Sequence, residues 1–364
     1  MKKKKLTLGV IGDAGKCGRW FRSWGKRKGY KVIGSDVGTM LSNRDVARGA
    51  DIIIVAVLPM KNAPLVIREI APVLGKKKFL ICITSVKTYE VRAIRREVRC
   101  EAVAIHHFCS PTVPNWRGQN VAVCEIRLSK WRVWVEVEFL RDLEATVTQT
   151  TAPKHDRYTS VTQNAPHSIS IALVSMMRTL GGVVFAESMR YSSPVYRLLL
   201  IGAGRVLSQD PRLLAEMQMT NPNVPKMLRK LEGSIRRLRV WIQERNLHRI
   251  LEEIALDQEY LGTTYIKTSS GFFNNLNSMM ANILAEGGSE RLLVVRNSDD
   301  RPGDLYRVLQ VFARRRINLF FIYSLEAGHK SFRFFFGVDR DRSSPEVQRA
   351  LTAVRSLKGI EIER

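Results

Sequence analysis

The chain is short of acid. It has 34 Asp and Glu against 59 Lys and Arg in 364 residues, a formal net charge of +25. Such an imbalance raises nucleic acid as a partner, but the basic residues are scattered from Lys26 to Arg316 and no RNA- or DNA-binding signature accompanies them. A solvated basic surface, or one that attracts a small dianion, is the better reading, and nucleic acid is set aside. Cysteine is also scarce: Cys17, Cys82, Cys100, Cys109 and Cys124 are odd in number and form no CxxC pair. That excludes a disulfide framework and points to reduced thiols in a cytoplasmic protein. Long hydrophobic runs are missing as well. The longest, Ile52 to Leu58, falls far short of the roughly 18 residues a membrane helix needs, so no membrane partner is expected. The basic start Met1 to Lys5 imitates a signal peptide, yet the apolar stretch after it runs at once into a glycine turn and reads as a first strand.

With 45% hydrophobic residues, the chain can bury two or three cores. Up to about residue 150, short apolar runs alternate with helical stretches. Leu6 to Ile11, Lys31 to Ser35, Ile52 to Val57, Phe79 to Ile83, Ala102 to Ile105 and Val121 to Cys124 read as strands of a doubly wound parallel sheet. One segment resists assignment, because Trp131, Val133, Val135, Val137 and Phe139 alternate with period two where a closing helix would be convenient. From His155 to about Glu286 the spacing is helical. Ser193-Pro194 and Asp210-Pro211 each pair an N-cap with proline at the first helical position. Ala285 to Ser289 reads as a linker, and the βαββαβ order after it is that of a ferredoxin-like module. The expected domains are therefore 1–150, a Rossmann-type dinucleotide-binding domain; 151–286, an all-helical domain; and 290–364, the small module.

The turn Gly12-Asp13-Ala14-Gly15-Lys16-Cys17-Gly18 follows a strand and opens a helix, the setting in which glycines admit a pyrophosphate to a helix N-terminus. Gly12, Gly15, Lys16, Cys17 and Gly18 are the candidate cofactor-binding residues. Asp36 closes the second strand, where a carboxylate accepts from ribose hydroxyls and repels a 2′-phosphate, so NAD is favoured over NADP. Ser85 ends a later strand and could equally be a helix N-cap. His106 ends the next strand and is read as catalytic base, core residue or, last, metal ligand; no spaced second ligand pair supports a metal. His155 and His167 lie on the first helix of the second region, where a lone histidine is usually packing or surface. Arg205, on an otherwise apolar helix, wants an anion.

The strings Val10-Ile-Gly, Thr84-Ser-Val-Lys87, His106-His-Phe-Cys-Ser-Pro111, Lys154-His-Asp-Arg157 with His167, and Ser192-Ser-Pro-Val-Tyr-Arg-Leu198 through Gly204-Arg205 resemble the prephenate dehydrogenase family from about Leu6 to Glu253. The resemblance implies NAD-dependent oxidative decarboxylation of prephenate to 4-hydroxyphenylpyruvate, with His106 as catalytic histidine and Ser85 as its hydrogen-bonding partner. It further implies Arg205 as the carboxylate binder, His167 lining the same site, and a homodimer. Arogenate dehydrogenase and a non-catalytic sensor of nucleotide and amino acid stand as alternatives. The family usually has His-Pro where this chain has His106-His107, and glycine at Ser110. The C-terminal module resembles ACT domains through Arg301 to Arg307 and Arg316 to Leu319. That likeness implies an effector site at Pro302, Gly303 and Asn318, with tyrosine as effector, or else a purely structural dimer contact.

Overall fold

The computed structural model describes residues 6–363 apart from 59, 112, 114, 288–290, 299, 300, 329 and 330. It divides into two compact units, Met1–Val240 and Trp241–Arg364.

The first unit is built on a seven-stranded sheet: β1 (Thr7–Ile11), β2 (Lys31–Ser35), β3 (Ile52–Val55), β4 (Phe79–Cys82), β5 (Glu101–His107), β6 (Asn120–Arg127) and β7 (Thr146–Thr150). Their spatial order is β2-β1-β3-β4-β5-β6-β7. The first five strands run parallel, whereas β6 pairs antiparallel to β5 and β7 parallel to β6. The sheet is thus mixed rather than wholly parallel. The cause is the connection, since β5 and β6 are joined without the crossover helix that a parallel pair requires. β7, with four exposed residues of five, carries no apolar run and escapes sequence detection.

Ile52–Val55 and Phe79–Cys82 are wholly buried, as strands covered on both faces must be. One face carries α1 (Lys16–Arg27); the other carries α2 (Asn43–Gly49), α3 (Ala63–Ile70) and α4 (Thr88–Glu97). The segment that resisted assignment is a π-helix over Trp134–Arg141. Its buried residues, Trp134, Val135, Phe139 and Leu140, recur at i, i+1, i+5 and i+6, the spacing of i→i+5 winding. Val133 and Val137 face solvent, so the period-two alternation marked no strand.

Helices then follow in succession: α5 (Ala152–Thr159), a π-turn at Ser160–Asn164, α6 (Ala165–Thr179), α7 (Phe185–Ser188), α8 (Pro194–Leu207), α9 (Pro211–Thr220) and α10 (Val224–Gln243). Ser193 caps α8 by accepting from Tyr196 N–H, and Asp210 caps α9 by accepting from the N–H groups of Arg212 and Leu213, as the sequence implied. Among the described residues no helix is long and apolar enough to cross a membrane.

The second unit contains α11 (Leu247–Leu261) and α12 (Thr263–Gly287), followed by β8 (Leu292–Asn297), α13 (Asp304–Arg314), β9 (Leu319–Gly328), β10 (Ser331–Val338), α14 (Pro345–Arg355) and β11 (Ile360–Ile362). The sheet order β11-β8-β10-β9, antiparallel throughout, is ferredoxin-like. The linker expected at 285–289 is overruled in its first part, because residues 285–287 complete α12; residues 288 and 289 lie outside the described residues, as does the basic start at 1–5.

Phe139 is fully buried and packs its ring against Phe21, Trp24, Trp116 and Trp134. Phe139→Ala should cost about 3–5 kcal/mol of stability, the range for removing a core aromatic, read as a lowered midpoint in urea unfolding.

Candidate active site

The carboxyl ends of the parallel strands gather the candidate residues. Going from β1 to β2 places a strand on one side of β1, and going on to β3 places one on the other. The crevice at that reversal is where open α/β sheets bind ligands. Gly12 follows β1 with φ of +88°, and a Cβ there would lie 2.5 Å from the Ala56 carbonyl oxygen beyond β3. A Cβ on Gly18 would lie 2.0 Å from the Gly12 carbonyl oxygen, so only glycine lets α1 start this close to the turn. Gly15 occupies the N-cap of α1, where no side chain caps the helix and no acidic residue lies in the first turn. An uncapped helix start of this kind presents N–H groups and a positive dipole end to an anion. Lys16 is exposed beside it, and Cys17 is half-buried. Asp36, just after β2, accepts from Ala14 N–H at 2.9 Å and from Val37 N–H at 2.7 Å, which anchors its carboxylate at the rim of the turn.

His106 and His107 are neighbours in β5 and face opposite sides of the sheet, as successive strand residues must. His107 stacks on Trp116 and bonds through Nδ1 to the Cys109 carbonyl at 3.0 Å, while its Nε2 lies 3.9 Å from Cys17 Sγ. Burial holds its imidazole down to about 4, against the hydrogen bond to Cys109. His107 therefore ties β5 to the start of α1 as a neutral packing residue.

His106 faces the helical layer. It is 3% exposed, and its Nδ1 lies 2.9 Å from Nε2 of His155 on α5. His155 Nδ1 lies 2.8 Å from Asp156 Oδ1. Asp156 also accepts from the N–H groups of Lys87 and Thr88, each at 2.8 Å, and from the Thr88 hydroxyl. Burial pushes this carboxyl up, but the bonds from His155, Thr88 and the two backbone N–H groups together hold it below the usual value. A charged carboxylate only accepts, so His155 Nδ1 carries a proton, and in the neutral tautomer its Nε2 carries a lone pair. His106 Nδ1–H then donates to that lone pair, which leaves His106 Nε2 as the basic atom. Burial above all, with the Lys87 ammonium adding to it, pushes the His106 imidazole well below 6.5 and keeps it neutral near pH 7.

Beneath this chain lies a buried ion pair. Lys87 Nζ donates to Glu90 Oε1 at 2.6 Å, to the Ile105 carbonyl at 2.7 Å and to the Thr84 carbonyl, with both charged side chains almost wholly enclosed. Glu90 also accepts from the Thr84 hydroxyl and, at 2.9 Å, from Cys82 Sγ. The loop after β3 is fixed from the helical layer, where Met60 N–H donates to buried Glu216 Oε2 at 2.6 Å. Met60, Val86, Val206, Leu214 and Met217 pack together around it.

The bond expected between His106 and Ser85 is not formed. Ser85 sits half-buried at the end of β4 on the same sheet edge, and the place at His106 Nδ1 belongs to His155. Sequence reading passed over His155 as a lone helical histidine; its one usable signal was the carboxylate immediately after it. His167, on α6 beyond the π-turn, has a buried Nδ1 with no hydrogen-bond partner, and its imidazole is lowered by burial and then by the nearby charge of Arg205 on α8. The structure thus brings His167 and Arg205 together. Pro302 and Gly303 lie exposed at the start of α13, with Gly303 at φ of +91°, and Asn318 lies exposed before β9, all in the second unit.

A mixed sheet with glycine turn, helices on both faces and a following helical layer defines a Rossmann-type fold. A family profile described as "Prephenate dehydrogenase, dimerization domain" matches residues 151–256. The probable arogenate/prephenate dehydrogenase of Methanocaldococcus jannaschii is 31% identical over 246 residues, 62% of this chain and 54% of that protein. The T-protein of Haemophilus influenzae is 28% identical over 211 residues, 58% of this chain and 55% of that protein. The chain is thus similar to prephenate dehydrogenases, by profile over residues 151–256 and by sequence over 62% of its length. It spans about half the length of the curated relatives it matches. In fold it is similar to a prephenate dehydrogenase from Aquifex aeolicus solved with hydroxyphenyl propionate and NAD+, with a TM-score of 0.57 and 18% identity over 72% of this chain and 100% of that one. It is also similar to the Synechocystis arogenate dehydrogenase, with a TM-score of 0.52 and 16% identity over 71% of this chain and 100% of that one.

Lys87→Met would leave Glu90 charged, buried and uncompensated, and should destabilise the protein by about 3–5 kcal/mol. Adding Glu90→Gln should restore much of the loss in a double-mutant cycle read by urea unfolding.

Proposed function

We propose that the chain oxidises and decarboxylates prephenate to 4-hydroxyphenylpyruvate with NAD. The observation that carries this reading is the free Nε2 of neutral, buried His106 at the sheet edge that also bears the glycine turn. The residues present fit the cofactor: Gly12 and Gly18 leave no room for a Cβ, α1 begins uncapped, and Asp36 supplies the carboxylate for ribose hydroxyls. When bound, NAD accepts the hydride from C4 of the ring.

His106 Nε2 accepts the proton of the C4 hydroxyl as the hydride leaves, and the C1 carboxylate departs as carbon dioxide while the ring aromatises. Arg205 holds a substrate carboxylate, and the orphaned Nδ1 of His167 receives a polar group of the side chain. Ser85 belongs to the same site through its place after β4. Arogenate is the second reading, supported by the names of the M. jannaschii relative and the Synechocystis structure; it shares the ring chemistry and differs only in the side chain.

A homodimer fits the dimerization-domain match. It also fits α11, where Leu247, Leu251, Ile254 and Leu261 are exposed along one side. The ferredoxin-like module is read as an ACT-type domain that takes tyrosine at Pro302, Gly303 and Asn318. Assay of the purified protein with prephenate and with arogenate, each with NAD and NADP, tests the reading by following reduced cofactor. Turnover of neither substrate would overturn it.

His106→Asn should lower kcat by roughly 10²–10⁴ with NAD affinity unchanged. Because the base must be neutral and its value is depressed, wild-type kcat should stay level through neutral pH and fall only well below pH 6.5. That acid limb should be absent from the variant's profile. Arg205→Ala removes a contact made in both ground and transition states. It should raise KM for prephenate on the order of tenfold to a hundredfold, with a smaller change in kcat.

A further inference from the structure

We infer that His155 is a positioning residue that fixes the tautomer of His106 and takes over its Nδ1 proton, with Asp156 as the fixed acceptor at the end of the chain. The inference rests on the reading of His106 as the base. Its geometry is continuous: His106 Nδ1 to His155 Nε2 at 2.9 Å, then His155 Nδ1 to Asp156 Oδ1 at 2.8 Å. All three side chains are buried, at 3%, 3% and 0% exposure, so water does not compete for these bonds.

Asp156 cannot rotate away to serve another group. Its two oxygens take four donors, from Lys87, Thr88 twice and His155, and the two backbone N–H groups among them open α4. This fixes the His155 Nδ1–H as donor, because the terminal carboxylate only accepts, and in the neutral ring it leaves Nε2 to accept from His106. Asn221 holds the same turn of α5 by donating to the Asp156 carbonyl at 2.8 Å and to the Thr159 hydroxyl at 3.4 Å.

A depressed imidazole is always unprotonated at neutral pH, yet it is a poor base, so the proton it takes must be stabilised elsewhere. In the step, the substrate O–H bond breaks and His106 Nε2–H forms. His106 Nδ1–H breaks and His155 Nε2–H forms, while the electron pair of the C4–H bond leaves as hydride to the nicotinamide. The positive charge then rests on His155 against the Asp156 carboxylate. The charged or titratable groups around His106 are Lys87 on the loop before α4, Glu90 on α4, His107 on β5, Cys124 on β6, and His155 and Asp156 on α5. Glu90 is already paired with Lys87, and Cys124 is pushed up to about 12 by burial, which leaves Asp156 as the group placed to balance an imidazolium.

Histidine-labelled nitrogen NMR of the full chain at neutral pH tests this without turnover. His106 and His155 should both carry hydrogen on Nδ1 and a bare Nε2; an Nε2–H tautomer at His106 would overturn the inference. In kinetics, His155→Leu should lower kcat on the order of 10²-fold, the low end of what a general base supplies, and move the acid limb to lower pH with KM for NAD unchanged. His155→Gln, whose amide oxygen can accept from His106 Nδ1–H but cannot take the proton on, should keep the His106 tautomer and recover only part of kcat. Full activity in both variants with an unmoved acid limb would refute the role, and so would a loss that merely follows a lowered melting temperature. If the wild type turns over neither substrate, the functional reading fails while the NMR tautomers still decide the geometry. If His155→Leu does not fold, the wild-type spectra and His155→Gln carry the test.

Discussion

The Asp156 carboxylate joins two tasks that elsewhere fall to separate residues. It caps α4 from a different helix by accepting from Lys87 and Thr88 N–H, and it orients His155 through Nδ1. Four donors on one buried carboxylate balance its desolvation, and their bonds outweigh the burial that would otherwise raise it. The group that ties α5 to the start of α4 therefore also orients the histidine that meets His106. Structural and chemical requirements are met by the same bonds.

The Lys87–Glu90 pair plays the complementary part below the sheet edge. An ion pair at near-zero exposure is costly unless its remaining valences are filled, and here carbonyls of Thr84 and Ile105 and the Thr84 hydroxyl fill them. The strand end carrying Thr84 to Lys87 is thereby bound to β5 immediately before His106. Lys87 also contributes to the depression of both histidines, so the buried cation has an electrostatic effect on the site as well as a packing role. The opposing face of β5 is closed by aromatic stacking, with His107 absorbed against Trp116. Its departure from the usual family pattern is thus a packing change behind His106, on the side away from His155.

The elements that proved legible in sequence are those that local physics dictates. β3 and β4 announce themselves as continuous apolar runs, α8 and α9 by a cap followed by proline, and the turn at Gly12 to Gly18 by glycines that no Cβ could replace. The π-helix at Trp134–Arg141 was illegible because the apolar alternation includes Val133 and Val137, which are exposed, and so hides the buried set Trp134, Val135, Phe139 and Leu140. The reversal at β6 was hidden for a different reason, since a buried strand reads the same in either direction.

By itself, the sequence determined which residue types could do chemistry and which strand ends would carry them: a glycine turn, Asp36 after β2, and His106 at the end of β5. Periodicity and capping are local, so they survive without knowledge of the rest of the chain. Only the tertiary structure decided which partner His106 has. Ser85 is close to it by strand order, yet the bond goes to His155, 49 residues along the chain. That choice depends on how α5 lies across the sheet, which is fixed by Asp156 bonding to the start of α4 and by Asn221, just after α9, bonding to α5. The direction of the His155–Asp156 bond follows from a carboxylate that can only accept, and such a constraint exists only once distant parts of the chain share one dry interior.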